Sequence, residues 1–297
     1  MTPTSETIIF FGTEEFSLTV LEGLIAAGYS IAAVVTKPDS KKGRGRQLVM
    51  PSVKVLAQKH DITVWQPVKV AEINESVKAL GAVTGVLVSY GKIIPKSTID
   101  LFTPGIINVH PSLLPKYRGP SPIESAIKNG DTKTGVSIMQ LTAAMDAGPV
   151  YATSEHVLEG AETRADLYRL LAVEGTDLLL ETLPAIMKGT LAPQPQNEAE
   201  ATYCKLLQKQ DSELDLSTLT AQEAERRVRA YLGFPKSKTV INGNLIIVTK
   251  AHVSSEQKTP LDLLCRDGAF LTVDELIAPS GRYMSGDAFL RGYAAAA

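Results

Sequence analysis

The chain has 297 residues, of which 44% are hydrophobic and 21% charged, a composition typical of a globular protein with one or two cores. Its net charge of -2 excludes a global basic field, so any contact with a nucleic acid must come from a local patch. The two cysteines and four histidines lie far apart in the sequence, a spacing that does not suggest a metal site.

The N-terminal segment and the lengths of the apolar runs indicate the expected cellular compartment of the protein. The first seven residues are polar, and no pattern of a secretory signal follows them. No run approaches the roughly 18 consecutive apolar residues that a membrane helix needs. We therefore expect a cytoplasmic protein with reduced thiols and no membrane association.

The first half of the chain alternates short apolar runs with amphipathic segments. The runs, typical of buried strands, are Ile8–Phe11, Ile31–Val35, Val86–Val88, Ile106–Val109 and Val136–Leu141. The helical patterns between them are Phe16–Ala27, Ser52–His60, Glu72–Leu80 and Ser121–Lys128. This alternation predicts an α/β fold with a mostly parallel sheet and crossover helices.

The turn after the first predicted strand is informative about cofactors. It contains one glycine, Gly12, whereas a dinucleotide-binding turn has three. Thr13 is predicted to cap the helix that follows. The turn therefore argues against NAD or FAD at this position.

The second half of the chain does not continue the alternation of strands and helices. A long amphipathic helix is predicted over Thr163–Lys188, and Pro184 is expected to bend or end it. The polar, proline-bearing stretch Gly189–Asn197 is typical of a linker. Beyond it, one helix at Ala221–Leu232 and short strands joined by an Asn242-Gly243 hairpin turn predict a small β domain. The expected division is a first domain over 1–188, a linker over 189–205 and a β domain over 206–297.

The most informative stretch lies at the end of the predicted strand Ile106–Val109. Asn108 and His110 are two residues apart, so strand alternation points both side chains to one side. The carboxyl ends of parallel strands form the edge of a sheet at which ligands bind. An amide and an imidazole at that edge favour a catalytic role.

A second stretch contains one carboxylate, Asp146, among small residues after another predicted strand. On its own, Asp146 is most simply interpreted as a solvated loop residue. Beside a histidine, however, an aspartate can orient the imidazole ring and stabilise its cation.

These two stretches together resemble the folate-dependent formyltransferases. The motifs that carry the resemblance are Asn108-Val109-His110, Ser112–Pro115 with Arg118-Gly119, and Met145–Gly148. The resemblance implies that Asn108, His110 and Asp146 are catalytic. It also implies a Rossmann-like first domain, an OB-like barrel as the second domain, and 10-formyltetrahydrofolate as formyl donor without a metal.

The resemblance further implies which residues contact the folate. They are Ser112, Leu113, Leu114 and Pro115 in one loop, and Val88, Ser89, Tyr90 and Gly91 in another. The chemistry suits the catalytic residue types, because an amine attacks the formyl carbon and a negative oxygen develops. Asn108 can hold that oxygen, an effect often worth about 3–4 kcal/mol, while His110 donates a hydrogen bond or accepts the amine's proton.

A basic segment bears on the identity of the amine. From Lys37 to Lys54, six basic residues accompany one acid, which gives a local charge of +5. Its glycines predict a mobile loop suited to phosphates or RNA, although a solvated basic loop stays open as the alternative. The loop resembles the insertion loop of family members that act on methionyl initiator tRNA. That resemblance implies tRNA contacts by Lys37, Lys41, Lys42, Arg44 and Arg46.

Three alternatives to a tRNA acceptor remain. A purine-pathway relative acts on glycinamide ribonucleotide and usually lacks the second domain and the basic loop. Sugar-amine formyltransferases keep the catalytic trio without needing the loop. A non-enzymatic RNA-binding module on a formyltransferase scaffold is disfavoured by the intact trio. We therefore expect formyl transfer to methionyl initiator tRNA by a monomer. A further basic face is expected from five residues, which are Arg226, Arg227, Arg229, Lys236 and Lys238.

Overall fold

The structure, a computed structural model, describes residues 7–42 and 47–293. The chain forms two compact units. The first is made by residues up to 120, 134–156 and 168–203. The second is made by 121–133, 157–167 and the residues from 204 on.

The described residues contain both helices and strands. The helices are α1 (Glu15–Ala26), α2 (Ser52–Lys59), α3 (Asn74–Leu80), α4 (Lys96–Ile99), α5 (Pro122–Asn129), α6 (Arg164–Met187), α7 (Ala221–Ala230) and α8 (Gly286–Gly292). The strands are β1 (Thr7–Gly12), β2 (Ser30–Val35), β3 (Ser40–Lys42), β4 (Gln47–Val49), β5 (Thr63–Trp65), β6 (Thr84–Val88), β7 (Ile106–His110), β8 (Lys133–Gln140), β9 (Val150–Val157), β10 (Ser237–Ile241), β11 (Asn244–Ser254), β12 (Asp262–Leu264), β13 (Phe270–Ile277) and β14 (Tyr283–Ser285).

A seven-stranded sheet with the order β5-β2-β1-β6-β7-β8-β9 organises the first unit. The strands from β5 to β7 pair in parallel, whereas β8 pairs antiparallel with β7. The predicted mostly parallel α/β fold is therefore confirmed. The apolar run of β1 explains its central place, because Ile8–Phe11 are all fully buried and a strand covered on both faces needs a continuous apolar sequence.

The turn from β1 to α1 differs from the prediction. The N-cap of α1 is Glu14, and no side chain caps this helix. The hydroxyl of Thr13 instead donates a hydrogen bond to the backbone carbonyl of Tyr90, at 3.1 Å. Thr13 therefore ties the first turn to the segment after β6, and the expectation that it caps the helix is wrong.

The chain that follows α6 is ordered against the first unit. Pro184 lies inside α6, which ends only at Met187. Gln194 then pairs with Val150 in an antiparallel bridge, and Tyr203 pairs with Arg118 in a parallel one. The residues predicted as a linker therefore make specific backbone contacts; the domain boundary at 188 and 206 stays a prediction.

An antiparallel sheet with the order β10-β11-β13-β12 organises the second unit, and β14 pairs with β13. The predicted hairpin turn is confirmed, because Asn242 and Gly243 both have positive φ angles, as a primed two-residue turn requires. Val248, Leu271 and Phe289 belong to the buried core of this unit. The separate antiparallel sheet agrees with the expected small β domain.

A buried hydroxyl allows the packing of the first unit to be tested. Tyr90 is 1% exposed, and its hydroxyl has no hydrogen-bond partner among the described residues. Burial raises the pKa of Tyr90 from 10.0 to about 12. The ring packs edge-to-face on Phe11, in a hydrophobic cluster that Trp65 also contacts.

We expect Tyr90→Phe to raise the free energy of unfolding by about 1 kcal/mol, because an unpaired buried hydroxyl is removed. The native protein should lose further stability relative to the variant as pH rises from 10 to about 12, since the unfolded chain ionises first. Fluorescence of Trp65, the single tryptophan, during urea unfolding measures both effects. A less stable variant would show that the hydroxyl has a partner.

Candidate active site

Strand β7 places an amide and an imidazole side by side in the interior. Asn108 and His110 are each 4% exposed, and alternation along the strand puts them on the same face of the sheet. Asn108 lies in the middle of the strand and His110 at its last position. The predicted pairing of these two side chains on one face agrees with the structure.

Asp146 reaches the pair by a different route from the one the sequence suggests. Because β8 runs antiparallel to β7, Gln140 at its end lies beside Ile107, near the start of β7. The loop 141–149 then folds back, so that Asp146 contacts Asn108 and Gly119. The carboxylate therefore comes from a returning loop and not from the carboxyl end of a parallel neighbour.

The three side chains converge around one point. The backbone N–H of Gly119 donates to Asp146 Oδ2 at 2.8 Å. The amide of Asn108 donates to Asp146 Oδ1 at 3.5 Å. His110 Nδ1 lies 3.9 Å from Asp146 Oδ2, too far for a hydrogen bond but within ion-pair range when the ring is charged. The arrangement thus presents an amide, an imidazole nitrogen and a carboxylate to a common space.

The other nitrogen of the imidazole determines its tautomer. His110 Nε2 lies 3.0 Å from the backbone carbonyl of Tyr117. A carbonyl oxygen only accepts hydrogen bonds, so Nε2 must carry a proton in the neutral ring. Nδ1 is then unprotonated and faces Asp146. His110 can consequently accept a proton at Nδ1, and the Asp146 carboxylate stabilises the resulting cation.

The loop after β7 is held by its own hydrogen bonds. The hydroxyl of Ser112 is buried and donates to the carbonyl of Lys116 at 2.6 Å. Ser137 donates to the Ser112 carbonyl at 2.7 Å and accepts from the Leu114 N–H at 3.1 Å. The expected folate contacts of Ser112, Leu113, Leu114 and Pro115 stay a prediction. The N–H of Ser112 also donates to the carbonyl of His110 at 2.8 Å, so both the backbone and the hydroxyl of Ser112 hold the loop.

The loop after β6 lies beside the basic segment. Val88 and Tyr90 have buried side chains, and the carbonyl of Tyr90 accepts a hydrogen bond from Thr13, so their predicted folate contacts stay predictions. Ser89 and Gly91 both have positive φ angles, of 45° and 68°. The positive φ angle of Gly91 favours glycine, and a Cβ atom there would displace the ammonium end of the Lys37 side chain. Lys37, predicted to contact tRNA, thus lies against the predicted folate loop.

The basic segment contains a short hairpin. Strands β3 and β4 pair antiparallel, with Lys42 opposite Gln47. At the base of the hairpin, Lys54 donates to both oxygens of Asp39, at 2.8 and 2.9 Å. This contact lowers the pKa of the Asp39 carboxyl. Lys54 and Asp39 therefore neutralise each other.

The basic residues that remain in this segment are Lys37, Lys41, Lys42, Arg44 and Arg46. Residues 43–46, with Arg44 and Arg46, lie outside the described part of the chain, and for Lys41 and Lys42 only the backbone is described. Their predicted tRNA contacts stay predictions. The sequence predicts a loop for this segment, whereas its base is a paired hairpin.

The arginines of α7 are engaged inside the second unit. Arg229 pairs with Glu225 at 2.6 Å and donates to the carbonyl of Glu162 at 2.7 Å. Arg227 donates to the Asp211 carbonyl at 2.6 Å and lies over the ring of Tyr231. These contacts hold the guanidinium groups of Arg227 and Arg229 within the unit, and the expected basic face stays a prediction.

Two residues support this site in a way that the sequence does not predict. Arg118 is 1% exposed, and Gln196 bonds both to it and to the Asp146 loop. Arg118 belongs to a motif that carries the family resemblance, but the motif assigns it no supporting role, and Gln196 lies in a stretch whose composition is typical of a linker. Only the three-dimensional structure brings them to the site.

Residues 7–42 and 47–293 show neither a metal site nor a membrane span. Within these ranges, no group of three or more His, Cys, Asp or Glu side chains is arranged to hold a metal ion. None of the helices described there combines the length and the apolar character needed to cross a membrane.

Comparison with known proteins identifies the family. Residues 6–183 match the model of the family described as "Formyl transferase", and residues 206–294 match "Formyl transferase, C-terminal domain". The chain belongs to the formyl transferase family. The resemblance inferred from the catalytic motifs is thereby confirmed.

Known relatives match along nearly the whole chain. The methionyl-tRNA formyltransferase of Chloroflexus aurantiacus is 38% identical over 299 residues, which cover 96% of this chain and 96% of that protein. The one from Pelobacter propionicus is 37% identical over 271 residues, or 91% of this chain and 85% of that protein.

A solved structure shares the fold. It is the N-formyltransferase of Helicobacter canadensis, in complex with folinic acid and dTDP-3-aminofucose, with a TM-score of 0.69 and 17% sequence identity. The match covers 90% of this chain and 98% of that one. At this identity the likeness concerns the fold alone.

Proposed function

We propose that this formyl transferase transfers the formyl group of 10-formyltetrahydrofolate to the free amino group of methionyl initiator tRNA. A bond forms between the amino nitrogen and the formyl carbon, the bond from that carbon to N10 of the folate breaks, and the proton lost by the amine is delivered to N10. The products are tetrahydrofolate and N-formylmethionyl-tRNA, which is used to start translation. The observation that carries the proposal is the convergence of Asn108, His110 and Asp146 in a chain whose relatives, matched almost end to end, are methionyl-tRNA formyltransferases.

The role of Asn108 follows from its chemistry. Its amide is a neutral donor in a nearly solvent-free position, at 4% exposure. A donor fixed in such a place stabilises an oxygen anion strongly, since it needs no reorganisation during the reaction. Asn108 holds the formyl oxygen as negative charge develops on it.

The roles of His110 and Asp146 follow from the tautomer. With Nε2–H bonded to the Tyr117 carbonyl, Nδ1 is free to take the proton of the attacking amine. The Asp146 carboxylate, 3.9 Å away, stabilises the charged ring. Two unit charges at such a distance attract by about 4 kcal/mol at an effective dielectric constant of 20.

One feature of the site, the accessibility of an imidazole nitrogen, is compatible with a folate donor. His110 Nδ1 has no hydrogen bond within the described ranges, so a reacting group can approach it. When bound, 10-formyltetrahydrofolate supplies an activated formyl group. The loops Ser112–Pro115 and Val88–Gly91 hold it. A fold neighbour, the N-formyltransferase of Helicobacter canadensis, is in complex with folinic acid, which supports a folate as the donor.

The basic segment recognises the tRNA. Its residues Lys37, Lys41, Lys42, Arg44 and Arg46 neutralise phosphates near the acceptor end. The second unit, of OB-like type, supplies a further surface for the tRNA. The enzyme acts in the cytoplasm as a monomer.

The catalytic assignment predicts large effects of single substitutions. Asn108→Ala, His110→Ala and Asp146→Ala should each lower kcat by more than about 100-fold, since each removes an oxyanion donor or a proton-transfer group. Single-turnover transfer of labelled formyl to charged tRNA measures the effect. His60→Ala, which removes an exposed histidine, is the matched control and should be fully active. Normal turnover by His110→Ala would refute the assignment.

The tRNA assignment predicts a change in salt dependence. Lys42→Ala with Arg44→Ala should raise the KM for tRNA and leave the KM for the folate unchanged. The slope of log kcat/KM against log salt should fall by about one for each phosphate that the variant no longer neutralises. Lys59→Ala with Lys188→Ala removes two exposed lysines elsewhere in the first unit and serves as control. Equal salt slopes in the two double variants would remove the hairpin from tRNA binding.

The acceptor is tested directly by competition. Formyl transfer is compared for methionyl initiator tRNA, methionyl elongator tRNA, glycinamide ribonucleotide and a nucleotide-linked amino sugar. The proposal predicts the largest kcat/KM for the initiator tRNA. Preference for either small acceptor would overturn it, and tRNA binding without formyl release would support a non-enzymatic RNA-binding protein instead.

A further inference from the structure

We propose that Gln196 is a positioning residue that holds the Asp146 loop in its catalytic conformation, with Arg118 as its anchor. The inference rests on the proposed function, because it assigns to Gln196 an effect on catalysis that passes through Asp146. Gln196 itself lies in the segment after α6 and touches none of the three catalytic side chains through its own side chain.

The amide of Gln196 uses both of its ends. Its Nε2 donates to the carbonyl of Asp146 at 2.8 Å and to the carbonyl of Gly148 at 2.7 Å. Its Oε1 accepts from Arg118 Nε at 3.0 Å and from Arg118 Nη2 at 2.8 Å. Both N–H groups and both lone pairs are therefore paired, which fixes the orientation of the amide.

Arg118 is in turn held from several sides. Its guanidinium is 1% exposed and pairs with the carboxylate of Glu198 at 2.7 and 2.9 Å. Nη1 also donates to the hydroxyl of Tyr203 at 3.1 Å. A buried guanidinium is costly unless it is fully paired, so these contacts leave little freedom of movement. Gln196 thus has a rigid anchor.

The Asp146 loop needs such support. Asp146 has a φ angle of 46°, a left-handed conformation that is unfavourable for residues with a Cβ, although less so for aspartate than for most. Its neighbour Met145 is 60% exposed, and Ala143 and Ala144 offer little surface for packing. The two hydrogen bonds from Gln196 go to the carbonyls of the residues on either side of Ala147, and they hold the turn that follows Asp146.

Arg118 also lies next to the residue that holds the Asp146 carboxylate. Gly119, which donates to Asp146 Oδ2 at 2.8 Å, follows Arg118 directly in the chain. Gln196 therefore connects the backbone of the Asp146 loop to the segment that holds the Asp146 side chain. Loss of its N–H donors frees the loop while the fold around it stays intact.

The substitution Gln196→Glu tests the positioning role of the Gln196 N–H donors. Glutamate has the same shape and keeps its acceptors for Arg118, but it loses both N–H donors and puts negative charge against two carbonyls. We expect kcat to fall by about 10- to 100-fold, as for a small displacement of a catalytic group. The KM values for tRNA and folate should change by less than threefold. Gln194→Glu, an exposed glutamine two residues away, makes the same chemical change and should be fully active.

A double-mutant cycle distinguishes positioning from a merely structural role. In the Asp146→Asn background, Gln196→Glu should lower single-turnover transfer by less than threefold, because the group it positions no longer acts. An equal loss in both backgrounds would overturn the proposal, as would normal kcat in Gln196→Glu alone. If Gln196→Glu does not fold, as judged by Trp65 fluorescence, Gln196→Met takes its place as an uncharged variant without N–H donors.

Failure of the catalytic assignment and failure of the positioning role give different results. If Asp146→Asn alone turns over normally, the catalytic assignment is wrong and the positioning role falls with it. If Asp146→Asn is inactive while Gln196→Glu is fully active, the catalytic assignment stands and Gln196 has no positioning role.

Discussion

The hydrogen bond from the Gly119 N–H to the carboxylate of Asp146, at 2.8 Å, decides where the negative charge of the site lies. From that position the carboxylate is close to both Asn108 and His110. The bond depends on a loop with a strained backbone at Asp146. A catalytic carboxylate placed on a loop needs external support, and here that support comes from residues distant in the sequence.

The topology of the sheet explains why the support is needed. Parallel strands carry their carboxyl ends to a common edge, and β6 and β7 do so with the two loops assigned to the folate. Strand β8 reverses direction, so the chain leaves it at the opposite end and must return to reach Asn108. The returning loop gains its position from hydrogen bonds and not from the sheet. The amide and the imidazole therefore lie on a strand of the sheet, whereas the carboxylate lies on a loop that hydrogen bonds hold in place.

Much of this arrangement can be predicted from the sequence, and the exceptions have physical reasons. The strands β1, β2, β6 and β7 are predictable because a central parallel strand needs an apolar run. Strand β8 is predictable because it is buried along most of its length, although it runs antiparallel to β7. The edge strand β9 is not, because Val150–Val157 mixes polar and half-buried residues, and β5 has only three residues, too few for a clear pattern. Motif chemistry points to Asn108, His110 and Asp146. Gln196 has no such signal, since an amide in a proline-bearing stretch lacks periodicity and its partners are set only by folding.

One geometric claim underlies the proposed chemistry, namely that the formyl carbon reacts in the space between Asn108, His110 and Asp146. A crystal structure of the protein with a non-transferable analogue of 10-formyltetrahydrofolate, which keeps the formyl group at position 10, measures this directly. The account predicts the formyl oxygen within hydrogen-bond distance, about 3 Å, of Asn108 Nδ2, and the formyl carbon facing His110 Nδ1. A formyl group bound with the folate elsewhere, more than about 6 Å from both nitrogens, would contradict it.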